Sequence, residues 1–230
     1  MHRRSVLALV LALSLLSVVA AQAGPITVYG GRAAFLAATT GVTTMDFEAQ
    51  NSNGDNGYEY FGTTLAIGDV TFNQPDGRMF VIGKSYPSYP TAGITSAYLN
   101  APNCCGTDGV SVTFANPIYA VGMDLGIQND WSSYGAGFDA VSFTLSTGET
   151  FSVVAPMLWE TGNPLMFFGF SSTVPFMSVL INSPSEGPAF DNFSYTSDAV
   201  GQSTVPDPGS SLLLLGMGLV GLRTWKKRLQ

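Results

Sequence analysis

The sequence predicts an all-β protein whose body is an antiparallel two-sheet β-sandwich of the jelly-roll type. Charged residues make up only 11% of the 230 residues, which excludes a coiled coil and a polar disordered chain. The 26 glycines and 13 prolines favour many turns and short strands over long helices. Segments of alternating apolar and polar residues recur without the strand–helix alternation of a parallel sheet, so we expect an antiparallel sandwich.

Ten segments of the body have the residue pattern that is typical of strands. In chain order they are residues 43–48, 70–73, 79–83, 110–115, 118–125, 140–146, 151–154, 167–171, 177–182 and 190–196. Turn-forming residues separate them; Asn116-Pro117 is one such signal, and residues 146–149 have the length of a tight hairpin. A helical pattern occurs at residues 32–39, over one or two turns.

The N-terminal end, residues 1–23, has the composition of a secretory signal peptide. Arg3 and Arg4 precede an apolar run, and Ala21-Gln22-Ala23 provides the small residues of a cleavage site. We therefore expect signal peptidase to cleave after Ala23. The alternative interpretation is an N-terminal anchor helix.

The C-terminal end is an uncharged stretch rich in Leu and Gly, residues 210–222, followed by a basic cluster. A helix of this length spans about 20 Å, and extension through Trp225 makes it a marginal membrane span. Because basic residues stay on the cytoplasmic side, the body should lie outside the cytoplasmic membrane. The alternative interpretation is a buried core helix.

A proline-containing motif precedes the apolar stretch. Together with that stretch and the basic end, it resembles a PEP-CTERM sorting signal, with Asp207 where that family usually has Glu. The residues that carry the resemblance are Val205, Pro206, Asp207, Pro208, Arg223, Lys226, Lys227 and Arg228. The resemblance implies a bacterial exported protein that its tail anchors in the membrane until an exosortase processes it. The body then remains at the cell surface or in the extracellular matrix.

The predicted organisation is a signal peptide at 1–23, a β-sandwich ectodomain at 24–200, a linker with the sorting motif at 201–209, and a transmembrane and basic tail at 210–230. Between the signal peptide and the apolar tail, the chain keeps Arg32, Arg78 and Lys84 against all 16 acidic residues, a net charge of −13. This charge excludes a nucleic-acid partner and attracts cations.

The body also resembles the β-sandwich ectodomains that commonly precede such tails. The resemblance rests on Asp46-Phe47-Glu48 and on residues 120–126, 145–151, 167–170 and 189–195. It implies a fold and a location outside the cell. It implies no activity.

The residues needed for most kinds of catalysis are missing from the body. His2 is the only histidine and lies in the signal peptide, which excludes Ser-His-Asp and Cys-His sites and histidine-ligated metals. No phosphate-binding or dinucleotide-binding motif occurs. We therefore predict that the protein is not an enzyme. A carboxylate-pair glycosidase is the remaining catalytic alternative.

A small set of polar residues suggests a structural Ca²⁺ site. In a predicted strand, Asp46 and Glu48 point to one face, and Asp191 and Asn192 open the last strand. Jelly rolls often pair their first and last strands, which would bring these oxygens together, and calcium takes six to eight oxygen ligands. The Asp46-Phe47-Glu48 segment and the closing strand with Asp191 resemble those of MAM-like jelly rolls, and this resemblance implies a structural calcium site. The alternative is that these residues hydrogen-bond backbone amides.

The two cysteines, Cys104 and Cys105, are adjacent in the sequence. They form a vicinal disulfide, remain thiols or pair between chains, and the sequence leaves all three open. A vicinal disulfide would stiffen the surrounding loop and present a flat surface to a ligand.

Aromatic residues in loops rich in Gly, Ser and Pro could stack against sugar rings. Tyr58, Tyr60 and Tyr86 belong to this group, and so do Trp131 and Tyr134 with the neighbouring Asp130. The alternative is that such rings pack in the core or within loops. The sequence therefore favours a non-catalytic binding module for extracellular polysaccharide. A self-associating surface protein without a specific ligand is the second hypothesis.

Overall fold

The computed structural model describes residues 25–75, 79–86, 96–101, 108–127, 138–158, 164–183 and 187–200. The chain divides at Val200, and the second unit, Gly201–Gln230, lies wholly outside the described residues. The predicted signal peptide and sorting tail are therefore outside them too, and both stay predictions.

The described residues contain twelve strands, one α-helix and one 3-10 helix. In chain order they are β1 (Ile26–Tyr29), α1 (Arg32–Ala38), β2 (Thr43–Met45), the 3-10 helix Glu48–Gln50, β3 (Tyr58–Gly62), β4 (Thr64–Ile67), β5 (Val70–Asn73), β6 (Met79–Ile82), β7 (Tyr98–Asn100), β8 (Asp108–Ile127), β9 (Phe138–Leu145), β10 (Thr150–Pro156), β11 (Met166–Ser183) and β12 (Pro188–Thr196). The predicted helix is confirmed to within one residue.

All twelve strands belong to one antiparallel sheet. Its main path is β10-β9-β11-β8-β12-β7-β6-β3, while β1 pairs with β11, β2 with β12, β5 with β8 and β4 with β5. The prediction of an all-β antiparallel fold is confirmed. Hydrogen bonding joins the strands into one continuous sheet, so the division into two separate sheets stays a prediction.

The long strands β8 and β11 connect two halves of this sheet. Their pairing register shifts between Ser171 and Ser178 of β11, and such irregularities bend a strand. The first half contains β4, β5, β9, β10, the beginning of β8 and the end of β11. The second half contains β1, β2, β3, β6, β7, β12, the end of β8 and the beginning of β11.

The two halves share one hydrophobic core. Phe72 of β5 lies 5.7 Å from Phe190 and 5.3 Å from Phe193 of β12, measured between ring centroids. Phe143 of β9 lies 4.9 Å from Phe168 of β11. Since β5 and β12 are not hydrogen-bonded neighbours, the rings meet across the core between the inner faces of the halves.

Three predicted boundaries are wrong, and β1, β3, β4 and β7 were not predicted. The strands predicted at 167–171 and 177–182 are one continuous strand, β11. The turn at Asn116-Pro117 is absent, because β8 continues through it. Pro117 lies between the residue pairs Thr113–Ser178 and Ile118–Phe176, where the register shifts, and an irregularity of this kind accommodates a residue without an N–H. The strand predicted at 43–48 ends at Met45, and Glu48 begins the 3-10 helix.

The predicted hairpin at residues 146–149 is confirmed. The Leu145 amide donates to the Glu149 carbonyl at 2.9 Å, and the Gly148 amide donates to the Leu145 carbonyl at 2.9 Å. Gly148 has a φ of 97°, which a residue with a side chain rarely adopts. This turn sets the register of β9 and β10.

Candidate functional site

The outer face of the second half carries a smaller apolar cluster. Its fully buried members are Ile82, Tyr98, Leu158 and Ala189, and Phe80, Tyr86 and Leu165 pack against them. Side chains alternate along a strand, so Val81 points into the common core while its neighbours Phe80 and Ile82 point to the outer face. The cluster therefore lies on the side of the sheet opposite the core.

An aromatic strip continues this cluster to the edge of the sheet. We define it as Tyr58 and Tyr60 of β3, Phe80 of β6, and Tyr86. The Tyr58 ring lies 5.5 Å from Phe80 and 5.2 Å from Tyr86, and the Tyr60 ring lies 5.2 Å from Phe80. Tyr58 is 43% exposed and Tyr60 is 55% exposed. The strip thus presents two tyrosine rings side by side to solvent.

The loop before β3 holds this strip in place. The Asn53 side-chain amide donates to the Tyr58 carbonyl at 2.7 Å, and the Gly83 backbone amide donates to the Gly57 carbonyl at 2.9 Å. A Cβ added at Gly57 would lie 2.4 Å from the Asn53 Cβ, and one added at Gly83 would lie 2.3 Å from the Asp55 carbonyl oxygen. Both positions therefore require glycine for this close approach.

Polar side chains surround the exposed rings. Glu59 accepts hydrogen bonds from the Ser52 hydroxyl and, at 3.0 Å, from the Asn53 side-chain amide. Lys84 pairs with Asp55 at 3.0 Å on the surface. A flat apolar ring with donors and acceptors nearby matches a pyranose, which has an apolar face and polar edges.

A polar cluster lies where β8 and β12 pair on the same half. Asp191 stands opposite Asp124 in the register. The Asn192 side-chain amide donates to Asp124 Oδ2 at 2.8 Å and to Asp191 Oδ2 at 3.2 Å, and Arg32 pairs with Asp124 at 2.9 Å. The Ser96 hydroxyl donates to Asp191. One shared donor, the Asn192 side-chain amide, thus joins the two carboxylates.

Asp191 is a buried carboxyl group, with 2% of its surface exposed. Burial raises its pKa from 3.8 to about 6, because the charged form loses its hydration. Hydrogen bonds from Ser96 and the Asn192 backbone lower the pKa in part, while the charges of Asp124 and Glu48 raise it further. Asp191 therefore titrates at a higher pH than an ordinary aspartate.

The structure brings together part of the predicted calcium set. Glu48 Oε1 accepts from the Ala97 amide at 2.8 Å, next to the Ser96 that bonds Asp191. Asn192 adopts a φ of 48° beside Asp191, at a register shift in β12.

Asp46, the remaining predicted ligand, is exposed on the segment after β2 and makes none of the described hydrogen bonds of this cluster. Among the described residues, no group of three or more Asp, Glu, His or Cys side chains has the arrangement of a metal site. The carboxylates instead accept hydrogen bonds, as the alternative interpretation expects, and calcium stays a prediction.

Several other predicted site residues lie outside the described residues. They are Cys104, Cys105, Asp130, Trp131, Tyr134 and all residues of the sorting motif. The sequence indicated Tyr58, Tyr60 and Tyr86 but missed Phe80, Ser96 and Asp124. It placed Tyr58 and Tyr60 in a loop, whereas both lie on β3. An available signal for Asp124 was a carboxylate inside the apolar segment 120–126. Within the described ranges, no helix has both the length and the apolar character of a membrane span.

No protein-family model matches the chain, and no curated protein matches it. Among solved structures it is similar to a family 29 carbohydrate-binding module, with 8% identity, a TM-score of 0.33, and coverage of 66% of this chain and 99% of that one. A Clostridium thermocellum xylanase 10B structure with CBM22-1 and GH10 modules has 11% identity and a TM-score of 0.34, and the match covers 68% of this chain and 28% of that one. The catalytic domain of a GH87 α-1,3-glucanase has 11% identity and a TM-score of 0.33, and the match covers 74% of this chain and 30% of that one. Similarity at this level defines neither the fold nor the ligand of this chain.

Proposed function

We propose that the protein is a non-catalytic module that binds polysaccharide at the cell surface or in the extracellular matrix. The observation that carries the proposal is the pair of exposed tyrosines on β3, with Phe80 and Tyr86 beside them. Tyrosine rings left in water contribute little to folding, whereas they supply a stacking surface for a ligand. The loop that fixes Tyr58 prepares this surface before binding, which lowers the entropic cost of association.

The charge of the body favours an uncharged polysaccharide. The body carries three basic residues against 16 acidic ones, and Lys84, which lies near the strip, is paired with Asp55. An acidic polysaccharide would be repelled by this field unless cations screened it. A neutral sugar chain meets no such barrier.

We also propose that the protein is exported by its signal peptide and sorted by an exosortase that acts on the PEP-CTERM-like tail. The support is the order of the three features in the sequence, with the proline motif, the apolar stretch and the basic end in succession. Replacement of Lys226, Lys227 and Arg228 by Ala should alter membrane retention and processing, as measured by cell fractionation. Unprocessed full-length protein in the cytoplasm of a host with the sorting enzyme would contradict this proposal.

The folded-over sheet is, in this proposal, a jelly-roll-like two-sheet sandwich with Ca²⁺ as structural support. Asp191 and Glu48 converge on Ser96 and Ala97 and could supply carboxylate oxygens, with the Ser96 hydroxyl as a further oxygen. Calcium would then compete with the present hydrogen bonds and hold Asp191 ionised.

The function is tested by affinity electrophoresis of the full chain, purified in mild detergent, through gels that contain neutral polysaccharides. We expect retardation by at least one neutral polymer and no change of that polymer's chain length. Shortening of the polymer would instead support a glycosidase.

A self-associating surface protein is the second candidate, because one observation favours it. Among the described strands, β10 lies at an edge of the sheet, and its Val154 is 66% exposed. Val154 borders an apolar cleft of about 230 Å³ that β1 and β11 also line, through Val28 and Met166. Free strand edges of this kind pair with other chains. Sedimentation of ordered oligomers, together with the absence of retardation in every gel, would favour this candidate.

A further inference from the structure

Asn100 lies at the inner end of the aromatic strip. It is the last residue of β7, directly opposite Phe80 of β6 and Ala189 of β12. Its neighbour Leu99 points into the common core, so alternation places Asn100 on the outer face. Phe80 is in turn opposite Tyr60. Tyr60, Phe80, Asn100 and Ala189 therefore form one cross-strand row, which leads from the exposed tyrosine at the sheet edge to the Asn100 amide.

The side chain of Asn100 is fully buried, and neither its amide nitrogen nor its amide oxygen has a hydrogen-bond partner. Buried polar groups in folded proteins are almost always hydrogen-bonded, and an unpaired one lowers stability. The cross-strand neighbours Phe80 and Ala189 offer no side-chain donor or acceptor. The amide therefore destabilises the free protein, and a ligand with adjacent hydroxyls would supply both missing partners.

The row is closed beyond Asn100. Gly126 stands opposite Ala189, and a Cβ added at Gly126 would lie 2.7 Å from Leu158 Cδ2 and 2.9 Å from Leu165 Cδ2. These leucines cover the row at its far end. A sugar chain that enters from Tyr60 thus meets an apolar wall once it has passed Asn100.

We propose that Asn100 is the specificity-determining residue of the glycan site and that the site takes the terminal ring of a neutral sugar chain. The inference rests on the proposed polysaccharide-binding function. Because Asn100 is fully buried in the free protein, binding requires a change of the Phe80 rotamer, and Phe80 is only partly buried. The terminal ring enters there, the next ring stacks on Tyr60, and the Asn100 amide donates to one hydroxyl and accepts from its neighbour.

The test measures the affinity of the full chain in mild detergent for linear gluco-, xylo-, manno- and galacto-tetraoses by isothermal titration calorimetry. The Asn100→Leu variant should melt at or above the wild-type temperature and bind the best tetraose at least tenfold more weakly. Asn100→Ala, which removes the amide without adding volume, should bind the best tetraose as weakly as Asn100→Leu does. Asn73→Leu, a matched change on β5 of the first half, should leave the affinity unchanged.

A second measurement uses the wild type alone. Removal of one hydroxyl that Asn100 contacts, on the terminal ring of the best tetraose, should weaken binding at least tenfold. The same removal on an internal ring should have little effect, because a site built to bond a hydroxyl rejects only the analogue that lacks it there.

The outcomes separate this inference from the proposed function. Binding that Tyr60→Ala abolishes and both Asn100 variants retain would overturn the inference and leave the function standing. A large loss of melting temperature in Asn100→Leu, or equal effects of terminal and internal hydroxyl removal, would also overturn it. If the wild type binds none of the tetraoses but is retarded by a polysaccharide, the terminal-ring inference alone is wrong. If it binds neither, both are wrong.

Discussion

The outer faces of the two halves of the sheet differ in what they present to solvent. On the first half, one uncharged row crosses six strands by register. It consists of Thr150, Thr144, Leu180, Ser111, Asn73 and Thr64. On the second half, the outer face carries α1, the polar cluster around Asp191 and Asp124, the smaller apolar cluster and the aromatic strip.

The difference shows where this protein places groups that do not help it fold. Polar residues of the first-half row bond one another: the Thr144 and Thr150 hydroxyls lie 3.2 Å apart, and the Asn73 side-chain amide donates to the Thr64 hydroxyl at 3.4 Å. On the second half, Asp191 is a desolvated carboxylate and Asn100 is an unpaired amide. Such groups lower stability and are typical of functional surfaces. We therefore place the proposed binding site on the second half.

The largest expected effect comes from the core that both faces share. Phe72 contacts Phe47, Phe190 and Phe193, and Phe72→Ala should lower the free energy of unfolding by about 3–5 kcal/mol. Thr144→Ala, on the exposed first-half row, should change it by less than about 0.5 kcal/mol. Urea unfolding curves measure both. A small loss for Phe72→Ala would mean that the halves do not pack through this ring.

The next effect concerns Asp191 without metal. Its folded pKa of about 6 lies above the ordinary 3.8, so the folded state binds the proton more tightly than the unfolded state. This contribution is present at low pH and is lost as the pH rises from about 4 to about 6, with a limit of about 3 kcal/mol. Other carboxylates change in parallel, so the measured quantity is the difference between wild type and Asp191→Asn.

With EDTA present, the free energy of unfolding of the wild type should fall relative to that of Asp191→Asn as the pH rises from about 4 to about 6. Urea unfolding at several pH values measures this difference. Asp69→Asn, at an exposed turn of the first half, is the matched control. Parallel pH profiles for wild type and Asp191→Asn would rule out the raised pKa.

Calcium bound at the proposed site around Asp191 and Glu48 should offset the stability that is lost when Asp191 ionises. At a free calcium concentration 100 times its dissociation constant, stability rises by about 2.7 kcal/mol. Asp191→Ala should abolish most of this increase, whereas Asp69→Ala should retain it. Thermal melting of the full chain in mild detergent, with calcium or with EDTA, gives the answer. Equal melting temperatures of the wild type in both conditions would eliminate the calcium site and leave the hydrogen-bonding account.

The sequence predicted elements whose pattern is local. The strands β9 and β10 and the hairpin turn at residues 146–149 are set by neighbouring residues, and both were predicted. The convergence of Glu48 and Asp191 was inferred from the idea that first and last strands pair. In the structure the first strand, β1, pairs with β11, and it is β2 that pairs with β12. Glu48 lies in the 3-10 helix that follows β2.

The missed features depend on contacts between distant segments. Nothing near Asn100 in the sequence indicates that Phe80 and Ala189 will flank it, because strand pairing of this kind is non-local. The edge position of β3 is also a property of the whole sheet, and it exposes Tyr58 and Tyr60. Pro117 inside β8 misled the prediction, since its position at a register shift is visible only in the paired sheet.

The most direct test of the central claim compares the two outer faces by polysaccharide binding. A Tyr58→Ala/Tyr60→Ala double variant removes the exposed rings of the strip, and a Thr144→Ala/Thr150→Ala variant alters the first-half row. Affinity electrophoresis of both full chains in gels with neutral polysaccharide should show at least tenfold weaker binding for the tyrosine variant, a loss of about 1.4 kcal/mol. The threonine variant should bind as the wild type does. Undiminished binding by the tyrosine variant, or its loss in the threonine variant alone, would contradict the assignment of binding to the aromatic strip.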